Sequence, residues 1–278
     1  MQLVPVYEMP FTTVFLMFII FSFVGWISEV IYVGIISEHK FVNRGFLFGP
    51  ICPIYGFGGL VILLLPSALY DTWIPLFFAS AILCSAVEYF ASWILEKVFH
   101  TLWWDYSHYK INLNGRICLL NSFLFGLMGL LAIHFAIPPV LAFINWMGER
   151  VNKILTAILL TLLSMDIMFT IRRLVDFNTT MEKLHTFADS LKESYGKEAW
   201  FRSKSIEEML ASIKEHAEIE KDKFTDSILN KIDSISHLHN GIEGLVNKFP
   251  TLKSNKYQEE VKHLRLIFKN RGKKSKNL

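Results

Sequence analysis

Charge is nearly missing from the chain up to Ile171, a stretch with seven Lys/Arg and nine Asp/Glu, whereas the rest carries twenty-one and sixteen. A water-soluble domain needs far more polar surface than that, so the first part excludes an ordinary soluble fold. The overall 52% hydrophobic content therefore averages two different regions, and the change falls near Arg172. We expect two domains, a transmembrane helical one over 1–171 and a cytosolic one over 172–278. Cysteine is scarce as well: Cys52, Cys84 and Cys118 lie in separate apolar segments, without the paired spacing of a zinc or redox motif. They read as small buried hydrophobes. Three familiar catalytic motifs are absent: G-x-x-x-x-G-K-[ST] of P-loop nucleotide hydrolysis, the G-x-S-x-G elbow, and the H-E-x-x-H zinc pair. No cofactor or metal is called for, and His100 and His108 have no carboxylate pattern around them. The first apolar stretch has no basic residue before it and no small-residue cleavage site after it, so it reads as a retained span.

What is present is a series of apolar windows. A bilayer core about 30 Å thick takes roughly 20 residues of helix. Five windows qualify: Phe11 to Ile36, with Glu29 alone charged; Cys52 to Tyr70, uncharged; Ile74 to Leu95, with Glu88; Ile117 to Ile137, uncharged; and Ile154 to Ile171, with Asp166. Irregular backbone cannot face lipid, so these are helices or broken helices packed on other protein. The second follows Gly49-Pro50-Ile51-Cys52-Pro53 and contains Gly56, Gly58 and Gly59, and this breaker density marks it as broken or re-entrant. The fold class is all-α: a polytopic transmembrane helix bundle of about five spans with a cytosolic helical or coiled-coil tail.

Lys and Arg in short connections resist translocation. Lys40, Arg44, Lys97, Lys110, Arg116, Arg172 and Arg173 fall on one side, and only Arg150 and Lys153 on the other. This places the N-terminus outside and the tail in the cytosol, with the chain multi-pass in the cell membrane. In the tail, Leu174, Phe177, Met181, Leu184, Phe187, Leu191 and Tyr195 step by three or four, as do Ile228 to Phe249, with a shorter run at Ile206, Met209, Leu210 and Ile213. Such stripes need a cover, either a helical hairpin or a coiled coil with a second copy of the chain. The basic residues from Lys269 to Lys276 read as a solvated end able to touch anionic membrane lipid.

An ionisable group within a span is costly and faces the bundle interior. Glu29, Glu88, Glu96 and Asp166 all fall toward the cytosolic side in this orientation. On the third span Ser85, Glu88, Ser92 and Glu96 lie within about 80° of one another on a helix turning 100° per residue, which is a polar stripe. On the first, Ser22, Gly25, Glu29 and Tyr32 make a second, with Gly25 permitting close approach. Arg44, beside Asn43, and Arg116, beside Asn114, are the counter-charges, because a guanidinium grips a carboxylate or phosphate through two bonds at once. We expect a cytosol-facing polar cavity lined by Glu29, Glu88 and Glu96 and closed by Arg44 and Arg116; the alternative is an ion-pair network that only fixes helix packing. Trp103 and Trp104 read as membrane-interface anchors, with Asp105 forming an ion pair to a neighbouring loop.

Taken in order, Phe23-Val24-Gly25-Trp26-Ile27-Ser28-Glu29, Asn43-Arg44-Gly45-Phe46, Gly49-Pro50-Ile51-Cys52-Pro53-Ile54-Tyr55-Gly56, Glu88-Tyr89, Leu95-Glu96, Trp103-Trp104-Asp105-Tyr106-Ser107 and Asn114-Gly115-Arg116 resemble a bacterial family named "putative ABC-transporter type IV", also called "putative ABC transporter permeases". The resemblance runs from about Phe11 to Ile137 and implies a transport-related membrane subunit, without implying catalytic or substrate residues. The chain lacks the acidic-Ala-Ala loop with a downstream Gly by which importer permeases engage their ATPase. Coupling to a separate ATPase or regulatory cytosolic protein would then fall to residues 172–278. Two other function classes fit the residues: a membrane enzyme or cell-envelope factor acting on a lipid headgroup, and a scaffold recruiting a cytosolic partner through its tail. Nucleic acid is not an expected partner. The orientation predicts that a cysteine placed beside Asp71 is labelled from outside intact cells and one beside Lys110 is not; labelling at Lys110 from outside would reverse it.

Overall fold

The computed structural model describes residues 3–32, 43, 45–202, 205–220, 246, 248–249, 252–254 and 256–265. The described chain is almost wholly helical. Its helices are α1 (Phe11–Tyr32), α2 (Pro53–Ile62), α3 (Trp73–Phe99), α4 (Leu119–Leu131), α5 (Ile137–Tyr195) and α6 (Ile206–Glu220), with four two-residue strands beside them. It divides into two compact units, one of residues Met1–Lys97 with Trp104–Ile171, the other of Val98–Trp103 with Arg172–Leu278.

Among the described residues three helical stretches are long and apolar enough to cross a membrane: Phe11–Ile31, Trp73–Phe99 and Leu119–Tyr195. The last has 77 residues, about 115 Å at the helical rise, which is more than three times the thickness of a hydrocarbon core. It is not one straight rod. A π-helical turn, Ala132–Ala136, joins α4 to α5, and Gly148 breaks α5 with φ 78°. A positive φ suits glycine after a helix end, where the last carbonyls lose their donors. Asn152 Nδ2 donates to the Ile144 carbonyl at 2.9 Å and so satisfies one of them. The second apolar window forms only the ten-residue α2, with Pro53 in its first turn. Beyond it the chain turns into a short 3-10 segment, Ser67–Leu69.

In the first unit small residues set the packing. A Cβ on Gly25 would lie 2.2 Å from Tyr55 Cγ, and one on Gly56 would lie 2.2 Å from Ser22 Oγ and 2.7 Å from the Phe18 carbonyl. α1 and α2 therefore touch backbone to side chain, in the way small residues let membrane helices approach. Gly129 likewise admits Ser80 of α3 against α4. Leu16, Met17, Ile62, Leu63, Leu76, Ile133, Ile137 and Ile144 form the main core. The outward side chains are apolar too, among them Ile74, Phe78, Ile82, Trp93, Ile154, Ile158, Leu162 and Phe169, all exposed. An apolar exterior of this extent is what lipid requires and water does not tolerate.

In the second unit the stripe of α5 is covered by the chain itself: Leu174, Phe177, Met181, Leu184 and Leu191 are all buried. Ala188 and Leu191 pack with Phe201, Ile206, Met209 and Ile213, so α6 folds back on α5. The second stripe, Ile228 to Phe249, lies outside the described residues apart from Val246 and Phe249. β1 (Thr101–Leu102) pairs antiparallel with β4 (Lys253–Ser254), Thr101 opposite Ser254. Trp103, read from sequence as an interface anchor, is instead 1% exposed. Phe99 and Phe249 pack edge-on against its ring, at 6.5 and 5.0 Å between centroids. Residues 258–265 form a further helical stretch.

Glycine packing can be tested by contrast. Gly56→Ala should lower unfolding stability by about 1–3 kcal/mol through forced displacement of α1, read as a fall in thermal midpoint in detergent. Gly58→Ala, whose Cβ would meet nothing within 4 Å, should stay within about 0.5 kcal/mol of the parent.

Candidate functional site

The polar centre of the first unit is built from α1, α2, α3 and the connection after α3. Glu29 sits one turn beyond Gly25 on α1, and the Tyr55 ring that occupies the space over Gly25 brings its hydroxyl to Glu29 Oε1 at 2.7 Å. Glu88 projects from the buried face of α3 and is 7% exposed. It accepts the Tyr106 hydroxyl on Oε1 at 3.1 Å, while its Oε2 is buried with no hydrogen-bond partner among the described residues. Asn121 of α4 adjoins both Glu88 and Tyr106, and Glu29 is near enough to Glu88 for the two carboxylates to repel. Two acid–phenol pairs thus stand beside one another. Burial first, and then the Glu88 carboxylate, push the Tyr106 phenol above its ordinary range. Tyr106 therefore keeps its proton and acts as a hydrogen-bond donor.

A second cluster lies further along α3. β2 (Asn112–Leu113) and β3 (Ile117–Cys118) form a hairpin whose turn has Asn114 at φ 54° and Gly115 at φ 68°, closed by the Arg116 N–H on the Leu113 carbonyl. Asn-Gly at two positive-φ positions is the preferred turn for such a hairpin. The turn aims Arg116 at α3. Its Nη2 pairs with Glu96, and its Nη1 donates to Tyr89 Oη at 3.4 Å, with the guanidinium carbon 5.2 Å from the Tyr89 ring centroid. Asn114 Nδ2 also donates to Tyr89 Oη, at 3.0 Å. The connection is tied down by Trp104 Nε1 donating to the Arg116 carbonyl and by the Tyr106 N–H donating to that of Gly115.

The structure brings Glu29 and Glu88 together through their tyrosines and joins Glu96 to Arg116. Ser85 donates to Ser122 of α4 at 2.8 Å, and Ser92 is buried with no hydrogen-bond partner among the described residues. Asp105 accepts the Ser107 N–H at 2.9 Å and the Ser107 hydroxyl, capping its own turn. Arg44 lies outside the described residues. Its neighbour Asn43 accepts the Trp26 indole N–H at 2.8 Å and the Gly45 N–H at 3.0 Å, holding the loop to α1. Asp166 is separate from the acid–phenol centre. Its two oxygens take the Phe48 and Gly49 N–H groups at 2.8 Å each, so it clamps the backbone of that same loop.

Tyr55 and Tyr106 stand inside the quoted motifs but were not singled out as partners of Glu29 and Glu88, because a phenol far along the chain from its carboxylate leaves no spacing pattern; Tyr89, which meets Asn114 and Arg116, and Asn121 were not singled out either. Asn114-Gly115 was a legible hairpin signal. His134 also went unread. It lies in the π-helical turn, stacked on Trp73 at 4.6 Å, with Nε2 buried and unpartnered among the described residues. Its signal was its position as the one histidine in the fourth apolar window.

Apolar helices with lipid-suited exteriors around a centre of hydrogen-bonded carboxylates define a helical membrane protein. The family model described as "Putative ABC-transporter type IV" matches residues 16–171, more than half of the chain, and the protein belongs to that family. No curated protein matches the chain, and no solved structure does.

The Asp166 clamp predicts that Asp166→Ala, which leaves two backbone N–H groups without their acceptor, costs about 2–4 kcal/mol. A thermal midpoint equal to the parent's would show that water or another group replaces it.

Proposed function

We propose that this protein is the permease-like membrane subunit of a transport system, with the Glu29–Tyr55 and Glu88–Tyr106 pairs at its working site. The observation that carries this reading is the Glu88 carboxylate, buried beside a second carboxylate and met among the described residues by neutral groups, the Tyr106 hydroxyl and the adjoining Asn121. A carboxylate placed so is costly, and a purely structural network has every reason to complete it. A ligand carrying a positive charge or a strong donor would find its counterpart at this position. The chain is read as crossing the bilayer about five times, α2 being the broken crossing and α4–α5 containing two, separated at Gly148. Its N-terminus is outside and its tail in the cytosol, and the polar centre opens toward the cytosolic side. Residues 1–171 are the membrane domain and residues 172–278 the cytosolic one. Because the chain has no P-loop of its own, energy comes from a separate ATPase, which docks on the tail. The lipid-headgroup reading draws less support, since Arg116 is already engaged by Glu96.

Two measurements test this. Native mass spectrometry of the protein in nanodiscs should show a co-purified small molecule that Glu88→Gln reduces at least about tenfold, the loss expected when one buried hydrogen bond to charge is removed; equal occupancy would remove Glu88 from the site. Affinity purification from native membranes should recover a P-loop ATPase with the full chain and lose it when residues after Arg173 are deleted. Recovery of no ATPase by the full chain would remove the permease reading.

A further inference from the structure

We infer that the centre formed by Glu29 and Glu88 binds a small monovalent cation, an alkali ion or a protonated primary amine. This rests on the reading of that centre as the working site and names the class of ligand it takes. The groups that meet there all belong to the membrane unit: Glu29 from α1, Tyr55 from α2, Glu88 from α3, Tyr106 from the connection after it and Asn121 from α4. What they bring is lopsided in charge. The two carboxylates stand near enough to repel, and the described groups that hydrogen-bond to them, two phenols and an amide, are neutral. Arg116 does not redress the balance, because the Asn114-Gly115 turn delivers it to Glu96. Carboxylates buried together in this way call for a cation.

Ser92 points the same way independently of the carboxylates. Exposed helical hydroxyls in this unit return to the carbonyl four residues back: Ser28 to Val24 at 3.0 Å, Thr161 to Ala157 at 2.9 Å and Ser164 to Leu160 at 2.7 Å. Ser92 does not. It is 2% exposed, and its Oγ has no hydrogen-bond partner among the described residues. It lies one turn after Glu88, and a helical side chain leans back over the turn before it, so this oxygen is aimed at Glu88. A buried hydroxyl without a partner is costly, and an oxygen acceptor beside two carboxylates is what a hard cation or an ammonium group takes. Charge and size are narrowed by the surroundings. Among the described residues no group of three or more His, Cys, Asp or Glu is placed to hold a metal ion, so the donor set suits a single positive charge rather than a divalent ion. The Tyr55 ring fills the space over Gly25, where a Cβ would lie 2.2 Å from it, and closes that side to a bulky ligand.

The test is the thermal midpoint of the full chain in lipid nanodiscs, with sodium, potassium and methylammonium chlorides set against the bulky N-methyl-D-glucamine chloride at equal ionic strength. A ligand that binds only the folded protein raises the midpoint as its concentration passes its Kd. At least one small cation should raise it by roughly 2–4 °C above the bulky control. A rise with sodium or potassium alone identifies an inorganic ion, one with methylammonium alone an amine, and one with all three a site that selects by charge and size. Glu88→Gln should abolish the rise, and Ser92→Ala should move it to about three- to tenfold higher concentration, the loss expected for one polar contact. Gly58→Ala, whose Cβ would meet nothing within 4 Å, should respond as the parent does. Where Glu88→Gln does not fold, Ser92→Ala carries the test. Small cations indistinguishable from the bulky control overturn the proposal, as does a rise that persists in Glu88→Gln or a Ser92→Ala response identical to the parent's. Binding is read without transport, so the two readings fail separately. A cation effect without a recovered ATPase refutes the permease reading alone, and a Glu88-dependent neutral or anionic co-purified molecule without a cation effect refutes the cation site alone.

Discussion

A carboxylate surrounded by apolar helices has to be given a donor by the protein, because the surrounding lipid offers none. Glu29 and Glu88 impose that requirement on the membrane unit, and much of its local architecture answers it. Tyr55 reaches Glu29 only because residue 25 has no side chain, and the contact of α1 with α2 is drawn close by that vacancy. Tyr106 reaches Glu88 only because the connection after α3 is pinned to the Asn112–Cys118 hairpin. The same hairpin delivers Arg116 to Glu96. One electrostatic demand is thus met by a helix contact, a loop and a turn.

The connection loops act as structural parts in their own right. The Asn43–Gly49 loop is held from inside by Asn43 and from α5 by Asp166, which takes two adjacent backbone N–H groups in its two oxygens. A carboxylate used in this way satisfies donors that would otherwise be left unpaired. Asp166 thereby has a structural reason to stand in an apolar helix without belonging to the acid–phenol centre. In the tail unit, β1 is contributed by chain that leaves α3 and returns to the membrane unit directly after Trp103. The tail is therefore closed by a strand that does not come from its own stretch of sequence.

Particular residues show where inference from one dimension stops. The apolar windows, the carboxylates inside them and the stripe from Leu174 to Leu191 follow from composition and period, both local properties of the chain. The breaker-rich approach to α2 correctly announces an incomplete helix. Trp103 is the opposite case. An aromatic pair next to a span ordinarily marks an interface, yet Phe249, from near the other end of the chain, buries this one. Nothing local distinguishes the two outcomes, because the deciding ring comes from so distant a position.

Residue order alone establishes a membrane protein with a charged helical tail, the carboxylates that enter its apolar segments, and the family to which its ordered motifs belong. Hydropathy, helical period and motif order are additive along the chain, so they survive without a structure. Packing in three dimensions settles which group each carboxylate meets: tyrosines for Glu29 and Glu88, Arg116 for Glu96, a pair of backbone amides for Asp166. Hydrogen bonds act over about 3 Å and join residues of any separation. Their partners are therefore set by how helices and loops pack, which no local pattern records.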